Sequence, residues 1–529
     1  MNTHRAADQG AAIPRVLSIA GTDPTGGAGQ QADLKSITAA GGFGLSVITA
    51  LVAQNTHGVQ AVLPVDQDFL KKQFASVFSD VTVDAVKIGM LSDSRTVETV
   101  KNTLTDHRPP VIVFDPVMVA SSGDRLLDED AEEAVRDFIG CTDVITPNLP
   151  ELAVLTGQPE ATTLEEAIDQ AKPLAKDKDV IVIVKGGHLD GSQADNAVVE
   201  PDGTTSRVAS QRVDTTNTHG TGCSLSSALA TRLARGDSAQ DALNWSTRWL
   251  HEAISHADEL HVGDGQGSGP IDHSHRARRL EAAASSRVWP HLTGELPLGE
   301  GYAKAPTPTL KPAGPHTERL WELTGQVWDD IMNLPFIRGL RAGTLPEEDF
   351  DFYLSQDAMY LNRYSRALAT LSTLAPDADG QIGWAQSAAG CIAVEAELHR
   401  DWLAKKGEGD ATRSPAAPSP VTMAYTNFLV ASTAVETYAC GVAAVLPCFW
   451  LYAEIGQDLI ADNHPEHLFK PWLDTYGDQD FLKEAEAAIQ RVEQALEAAG
   501  EQERDRATEA YLNACIYERE FFDQADRRW

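Results

Sequence analysis

The stretch Thr215–Ala230, TTNTHGTGCSLSSALA, decides how the first half of the chain is read. Gly220, Thr221, Gly222 and Cys223 are followed at once by small helix formers, with apolar residues at Leu225, Ala228 and Leu229. This is a glycine turn opening a helix. Glycines let backbone N–H groups converge, and the positive end of the helix adds to them, so the turn is an anion cradle. A phosphoryl group transferred there would have its developing charge met by fixed donors. Cys223 stands where a base or nucleophile is useful, and a thiol at a helix N-terminus is expected to have a lowered pKa. Taken alone such a turn marks only a helix start.

Working outward, Val16–Ala20 reads as a short buried strand, followed by the glycine-rich turn GTDPTGGAG and a helix over Gln31–Ala40. Further β-branched runs lie at 47–52, 86–90, 111–114, 144–146 and 180–184, with helical stretches between them, such as 131–139 and 164–175. Short apolar strands alternating with helices predict a mostly parallel α/β sheet, whose ligands bind at the carboxyl ends of the strands. The signatures GTDPTGGAG, AQNT, GML, DPVM, TPNLPE and KGGH all fall just after a strand, which brings them to one rim. From about Gly263 the texture changes. Residues 277–316 mix Ala, Arg, Pro and Gly and close on APTPTLKPAGP, a linker by composition. Beyond it, apolar residues recur at helical spacing over 316–332, 346–371, 383–406, 422–460, 480–499 and 504–522, which predicts a helical bundle.

At 529 residues the chain is too long for one core. A formal net charge of -34 argues against nucleic-acid binding and against docking on anionic membranes. The six cysteines form no CxxC and no regular framework, so reduced thiols and a cytoplasmic home are expected. The N-terminal MNTHRAADQGAAIPR holds no apolar run that would mark a secretory signal. The longest apolar run, between Glu436 and Glu454, is shorter than the roughly 20 residues of a membrane helix. Pro447 interrupts it, and it reads as a buried helix.

The ordered set AGTDPTGGAGQQADLK, VITALVAQNTHGV, KIGML, DPVM, ITPNLPE, KGGH and NTHGTGC closely resembles the hydroxymethylpyrimidine/phosphomethylpyrimidine kinases of the ribokinase-like superfamily, over residues 14–276. The resemblance implies an α/β ribokinase-like domain. Its activity would be ATP-dependent phosphorylation of 4-amino-5-hydroxymethyl-2-methylpyrimidine and then of its monophosphate. Phosphoryl transfer is mostly positioning and charge stabilisation. Gly220 and Gly222 would supply the anion hole, Lys185 a phosphate contact, and Asn148 and Glu151 would place Mg²⁺ and the phosphates. Asp115 is a further group near the metal, although before Pro116 it serves equally as a strand-end cap. Cys223 occupies the position of the base in this kinase branch. Asp33 and Gln54 are candidate substrate contacts, Gln54 standing where relatives often carry glutamate. A side-chain amide donates and accepts at once, which suits an aminopyrimidine edge. Met90 and Met118 fit as apolar walls, though singly each reads as core. His57 and His219 read as structural hydrogen-bonders.

The helical half carries a second constellation. FYLSQDAMYLNRY puts Asp357, Tyr360 and Tyr364 on one helix face, and LPCFWLYAEIG puts Cys448 and Tyr452 one turn apart. SPVTMAY, PWLDTYG and IYEREFF add Tyr425, Tyr476 and Glu518. Aromatics with a thiol and two acids suit a flat pocket for a planar heterocycle. The set resembles thiaminase II, the TenA family, over residues 317–529, which implies an all-α haem-oxygenase-like bundle. It further implies Cys448 as nucleophile, Glu518 as general acid/base with a pKa raised by burial, and Asp357 on ring nitrogens or the amino group. Tyr360, Tyr425, Tyr452 and Tyr476 would stack or hydrogen-bond. Glu395 matches a supporting position, whereas Tyr364 and Trp450 read as core, and Cys391, Cys440 and Cys515 as packing residues.

Together the halves imply a salvage pair for small pyrimidine and thiamine-derived substrates. One half frees hydroxymethylpyrimidine and the other phosphorylates it with ATP and Mg²⁺, in a homo-oligomer. Two rival readings stay open: a pyridoxal or sugar kinase in the first half, and a catalytically silent ligand-binding module in the second.

Overall fold

The computed structural model describes residues 13–118, 132–406 and 417–528, and the chain divides into two compact units at Ser285/Ser286. Among the described residues of the first unit ten strands form: β1 (Arg15–Ala20), β2 (Phe43–Ile48), β3 (Ala50–Asn55), β4 (Gly58–Pro64), β5 (Ala85–Ile88), β6 (Val111–Phe114), β7 (Val144–Ile145), β8 (Ile181–Lys185), β9 (Asn196–Val199) and β10 (Thr205–Val208). Eight of them make one sheet in the order β10-β9-β8-β7-β6-β5-β1-β2. From β8 to β2 all pairings are parallel, and β9 runs antiparallel to both of its neighbours. Residues on both faces of the central strands are apolar because helices cover both. One face packs Leu17, Ile19, Val86, Ile88, Ile112 and Phe114, and the other packs Val16, Ala85, Val113 and Ile183 under Leu225 and Leu229 of the helix Thr221–Ala234.

The run 47–52, expected as one strand, is two. Thr49 breaks it: its N–H donates to the Ala20 carbonyl at 3.0 Å and its hydroxyl to the Met90 carbonyl at 2.7 Å. The chain then leaves the sheet and pairs β3 with β4 as a separate antiparallel ribbon, with a bulge between Ala53 and Gln54. Leu51 and Leu63 on this ribbon stay exposed.

The second unit is helical. Its long helices are Glu347–Leu374, Ala378–Lys406, Pro420–Ala434, Tyr438–Leu459, Gln479–Ala498 and Glu501–Asp523, with shorter ones at Pro315–Leu323, Gly325–Met332, Pro335–Ala342 and Lys470–Gly477. Two segments expected as single helices are broken. The first breaks at Thr324 and Gly325, where Ala303–Ala305 crosses so closely that a Cβ on Gly325 would stand 2.3 Å from the Ala303 carbonyl oxygen. The second breaks before Thr437, whose side chain caps a new start. The apolar stretch Tyr438–Asp462 is long and apolar enough to cross a membrane, but its most apolar part is buried inside this unit and its end, from Asp458 to Asp462, is largely exposed.

The segment 277–316 is not a free linker. Past Ser285 it belongs to the second unit, where Leu298, Ala305, Leu310 and Ala313 pack on the core. The buried Glu454 accepts from the Thr309 and Leu310 N–H groups at 2.7 Å each, and Trp321 Nε1 donates to the Pro306 carbonyl at 2.8 Å. Proline density makes this segment stiff, and docking rather than spacing is the result. Glu454→Ala is expected to cost roughly 2–3 kcal/mol, since two backbone donors lose a charged acceptor. Chemical unfolding of the full chain measures it.

Candidate functional sites

In the first unit the signatures after β1, β5, β6, β7 and β8, joined by Gln54 from within β3, line one cavity of about 710 Å³ at the carboxyl ends of the sheet strands. Gly220 caps the helix Thr221–Ala234 with φ +83°, and a Cβ there would stand 1.8 Å from the Gly27 carbonyl oxygen. Only glycine fits, so the two glycine loops can touch. Gly220, Thr221, Gly222 and Cys223 all line the cavity, and the Lys185 Nζ lies 3.4 Å from where a Cβ on Gly222 would be. An anion seated on this helix start therefore meets Lys185 as well.

Asn148 and Glu151 form a reciprocal capping box on the helix Leu149–Thr156, each side chain accepting the other's N–H at 2.8 Å. Burial, aided by Asp115 and opposed by Lys185, raises the Glu151 pKa to about 7. Asp115 is buried and its oxygens are engaged: Oδ1 accepts from Lys185 Nζ at 2.8 Å and Thr146 Oγ1 at 2.9 Å, and Oδ2 from Ser226 Oγ at 3.4 Å. Asp115 thus positions Lys185 through Oδ1, while Oδ2, held only by that long contact, faces the cavity beside Gly222, where the expected metal role would place it.

Two expectations are corrected. Asp33 does not line the cavity. It is fully buried, accepting from Ser18 Oγ at 2.5 Å, Lys87 Nζ at 2.7 Å and Ser227 Oγ at 2.8 Å. The thiol of Cys223 is not acidified. Burial, together with Asp33 and Asp115, pushes its pKa up to about 11, against the pull of Lys87 and of a Gly29 N–H. The positive helix end loses to desolvation here. Iodoacetamide should therefore label Cys223 about 10²-fold more slowly at pH 7 than an ordinary thiol. Peptide mass spectrometry of the time course checks this; labelling at the ordinary rate contradicts it.

Gln54, Met90 and Met118 line the same cavity. So does His219, which acts as the structural hydrogen-bonder expected from the sequence. Its Nε2 lies 2.9 Å from Asp23 Oδ2, and Asp23 also accepts from the N–H groups of Thr25, Gly27 and Ala28. Burial disfavours the Asp23 charge, yet these bonds hold its carboxyl far below the usual carboxylate range. The pair ties the first glycine loop to the second. Lys87 was overlooked. Burial works against its charge, but Asp33, Cys223 and Asp115 hold it protonated under the cavity floor.

In the second unit five helices bring the expected residues together. Glu347–Leu374 supplies Asp357 and Tyr360, Pro420–Ala434 supplies Tyr425, and Tyr438–Leu459 supplies Cys448 and Tyr452. Lys470–Gly477 supplies Tyr476 and Glu501–Asp523 supplies Glu518. Tyr360 packs on Tyr425 with ring centroids 5.1 Å apart, and Tyr452 packs on Tyr476 at 4.9 Å. Tyr425 donates to Glu518 Oε1 at 2.5 Å. Glu518 Oε2 and the Tyr360 hydroxyl are buried without a well-formed hydrogen bond among the described residues, and the Tyr360 and Tyr452 hydroxyls lie close enough to Glu518 to favour its charge. Burial first, then Asp357, raises the Glu518 pKa to about 8, against the Tyr425 hydrogen bond. Cys448 is half-buried, and burial with the nearby Glu518 holds its pKa well above that of a free thiol.

Tyr353 was missed by sequence reasoning. Its hydroxyl lies 3.4 Å from both the Tyr452 hydroxyl and Trp472 Nε1, so it braces Tyr452. Tyr364 donates to the Val445 carbonyl at 2.8 Å, and Trp450 stacks on Trp321, both as core residues. Cys440 and Cys515 are buried, and Cys391 is half-buried against the core. The side chain of Glu395 lies outside the described residues.

Residues 23–272 match the phosphomethylpyrimidine kinase family and residues 322–528 the TENA/THI-4/PQQC family. The thiamine biosynthesis multifunctional protein ThiED of Corynebacterium efficiens is 58% identical over 98% of this chain and 70% of its own length. Its Corynebacterium glutamicum counterpart is 55% identical over 97% of this chain and 67% of its own length. A hydroxymethylpyrimidine/phosphomethylpyrimidine kinase of Salmonella typhimurium is 47% identical over 49% of this chain and 97% of its own length. With a ribokinase-like kinase domain fused to a TenA-like helical bundle, and at this identity to full multifunctional relatives, the chain belongs to the family of thiamine biosynthesis multifunctional proteins.

Proposed function

We propose that the chain is a bifunctional enzyme of thiamine biosynthesis and salvage. The first half, residues 14–276, phosphorylates hydroxymethylpyrimidine and its monophosphate with ATP; the second, within 317–529, hydrolyses aminopyrimidine or thiamine to hydroxymethylpyrimidine. The observation that carries the kinase reading is the convergence of Gly222, Cys223, Lys185 and Glu151 on one cavity at the strand ends.

In that site the phosphates rest on the helix start at Gly220 and Gly222, and Lys185, aimed by Asp115, takes a phosphate oxygen. Mg²⁺ favours oxygen donors and retains waters, so Glu151 and the phosphates suit it, and it would neutralise phosphate charge there. Glu151 has no other cation within 4.0 Å than Lys185 among the described residues, and a pKa near 7 lets a cation displace its proton. Cys223 is a neutral thiol at rest. The small thiolate fraction, its proton lost to water and its charge held by Lys87, takes the substrate hydroxyl's proton as that oxygen bonds phosphorus and the ADP oxygen leaves, and the thiol so formed is the resting state again. Gln54, Met90 and Met118 hold the pyrimidine.

In the second site Glu518, protonated below about pH 8, gives its proton to a ring nitrogen while Cys448 adds to the ring carbon between that nitrogen and the carbon that bears the leaving chain. The resulting carboxylate takes the thiol proton. The ring electrons expel the amine or thiazolium from the CH₂ group, Glu518 giving the amine the proton it needs, which leaves an exocyclic methylene; water adds to that methylene to form the alcohol, and the ring carbon–sulfur bond breaks to return the Cys448 thiol. Tyr425 steadies Glu518 through the change of charge.

The unpaired state of all six cysteines supports a cytoplasmic setting, and the exposed Leu51 and Leu63 on the β3–β4 ribbon support a homo-oligomer. Substrate competition tests the kinase reading. Hydroxymethylpyrimidine is expected to exceed pyridoxal in kcat/KM by about 100-fold or more. Equal values would favour the pyridoxal-type alternative.

A further inference from the structure

A third cluster lies in the first unit and takes no part in the chemistry above. His256 follows the helix Ala239–Ser255, Glu259 lies in the 3-10 turn Ala257–Leu260, and His275 opens the helix His275–Ala283. One donor atom from each lies within 4.8 Å of the other two. The two imidazole rings stack face to face, centroids 3.5 Å apart and planes 7° apart, and His256 Nδ1 lies 2.6 Å from Glu259 Oε1.

We propose that His256, Glu259 and His275 form a binding site for one zinc-type divalent cation. Donor lengths near 2.0–2.2 Å around tetrahedral Zn²⁺ place neighbouring donors about 3.3 Å apart. The stacked rings aim their in-plane lone pairs side by side, so admitting the ion needs one imidazole to turn out of the stack as well as the 2.6 Å contact between His256 and Glu259 to open. Two imidazoles with one carboxylate are the donor set zinc takes, and one that Mg²⁺ declines. Side-chain exposures of 20% for His256, 15% for His275 and 59% for Glu259 leave the fourth position to solvent. Glu252, 3.8 Å from His275 Nε2, is engaged by Arg279 and Arg276 and stands as an outer partner.

The site connects three segments and, through one turn, the catalytic loop. Asp258, beside Glu259, accepts from Thr215 Oγ1 at 2.9 Å and Asn217 Nδ2 at 2.6 Å. Those residues begin the loop that runs into Gly220. A cation that fixes the turn Ala257–Leu260 therefore stiffens the approach to the anion cradle.

The test uses the full chain, stripped with chelator and titrated with ZnCl₂, alongside Glu259→Gln and the double variant His256→Asn/His275→Asn. Calorimetry is expected to find one more zinc site in the parent than in the double variant, and about 10-fold weaker binding at that site in Glu259→Gln. Co²⁺ at the same site should give visible d–d bands that both variants lose or weaken. Hydrogen exchange over residues 215–219 should slow on zinc addition in the parent alone. Glu259 is largely exposed, so its variant keeps the test sound even where the double variant fails to fold. Equal zinc stoichiometry and affinity in parent and Glu259→Gln overturns the site. Unchanged exchange over 215–219 in zinc-loaded parent overturns its hold on the loop.

Discussion

Cys448→Ser is expected to lower hydrolysis of aminopyrimidine by roughly 10³-fold or more, with kinase turnover unchanged within about twofold. Serine keeps the size and a hydrogen-bond donor, so the packing of Tyr360 and Tyr425 around it survives. What is lost is a polarizable sulfur able to attack a ring carbon. The raised pKa of Cys448 does not oppose this role, because the thiol gives up its proton only after Glu518 has discharged its own. Release of ammonia measures the hydrolytic step. A Cys448→Ser variant with near-parental release would remove covalent catalysis and favour a module that only binds.

Lys185→Met is expected to lower kinase kcat by about 10²–10³-fold, the scale of one preorganised donor to a transferring phosphoryl group. The substitution also strands Asp115, a buried carboxylate whose low pKa depends on Lys185 and Lys87 against burial. Breaking one side of such a pair costs stability, on the order of 3–5 kcal/mol. The double variant Asp115→Asn/Lys185→Met separates the two effects: it should recover most of the stability and none of the rate. Recovery of rate in the double variant would show that Lys185 acts through the fold alone.

Glu518 supplies a pH test whose sign follows from its raised pKa. The ordinary carboxyl value is 4.5 and the folded value about 8, so between these the folded state holds a proton that the unfolded chain has lost. Stability of the helical unit therefore falls as pH rises from about 4.5 to about 8 through this group, and Glu518→Gln removes that slope. Hydrolytic kcat/KM should decline above about pH 8 as the acid form is lost. Thermal unfolding and rate profiles at pH 5.5 and 8.5 read both.

The sheet, the bundle and the gathering of most candidate site residues were legible because their signals are local. A β-branched run followed by TPNLPE or KGGH announces a strand and its rim, and helical spacing carries Asp357 and Tyr360 to one face. What stayed hidden depends on partners far along the chain. Asp33 looks like an available carboxylate until Lys87, 54 residues away, is seen to occupy it. Lys87 sits inside a strand read for its apolar neighbours, so its burial has no local mark. The helix start promised an acidic Cys223, but only tertiary burial beside Asp33 and Asp115 decides that balance. Proline-rich composition marked 277–316 as a linker because Glu454, its anchor, lies in a distant helix.

The two reactions share one pyrimidine, and mass spectrometry of the products from aminopyrimidine and Mg-ATP, with the intact chain as sole catalyst, tests that directly. The expected product is the pyrophosphorylated hydroxymethylpyrimidine, with ammonia released in equal amount. Aminopyrimidine recovered intact, or hydroxymethylpyrimidine accumulating without phosphate, would contradict it.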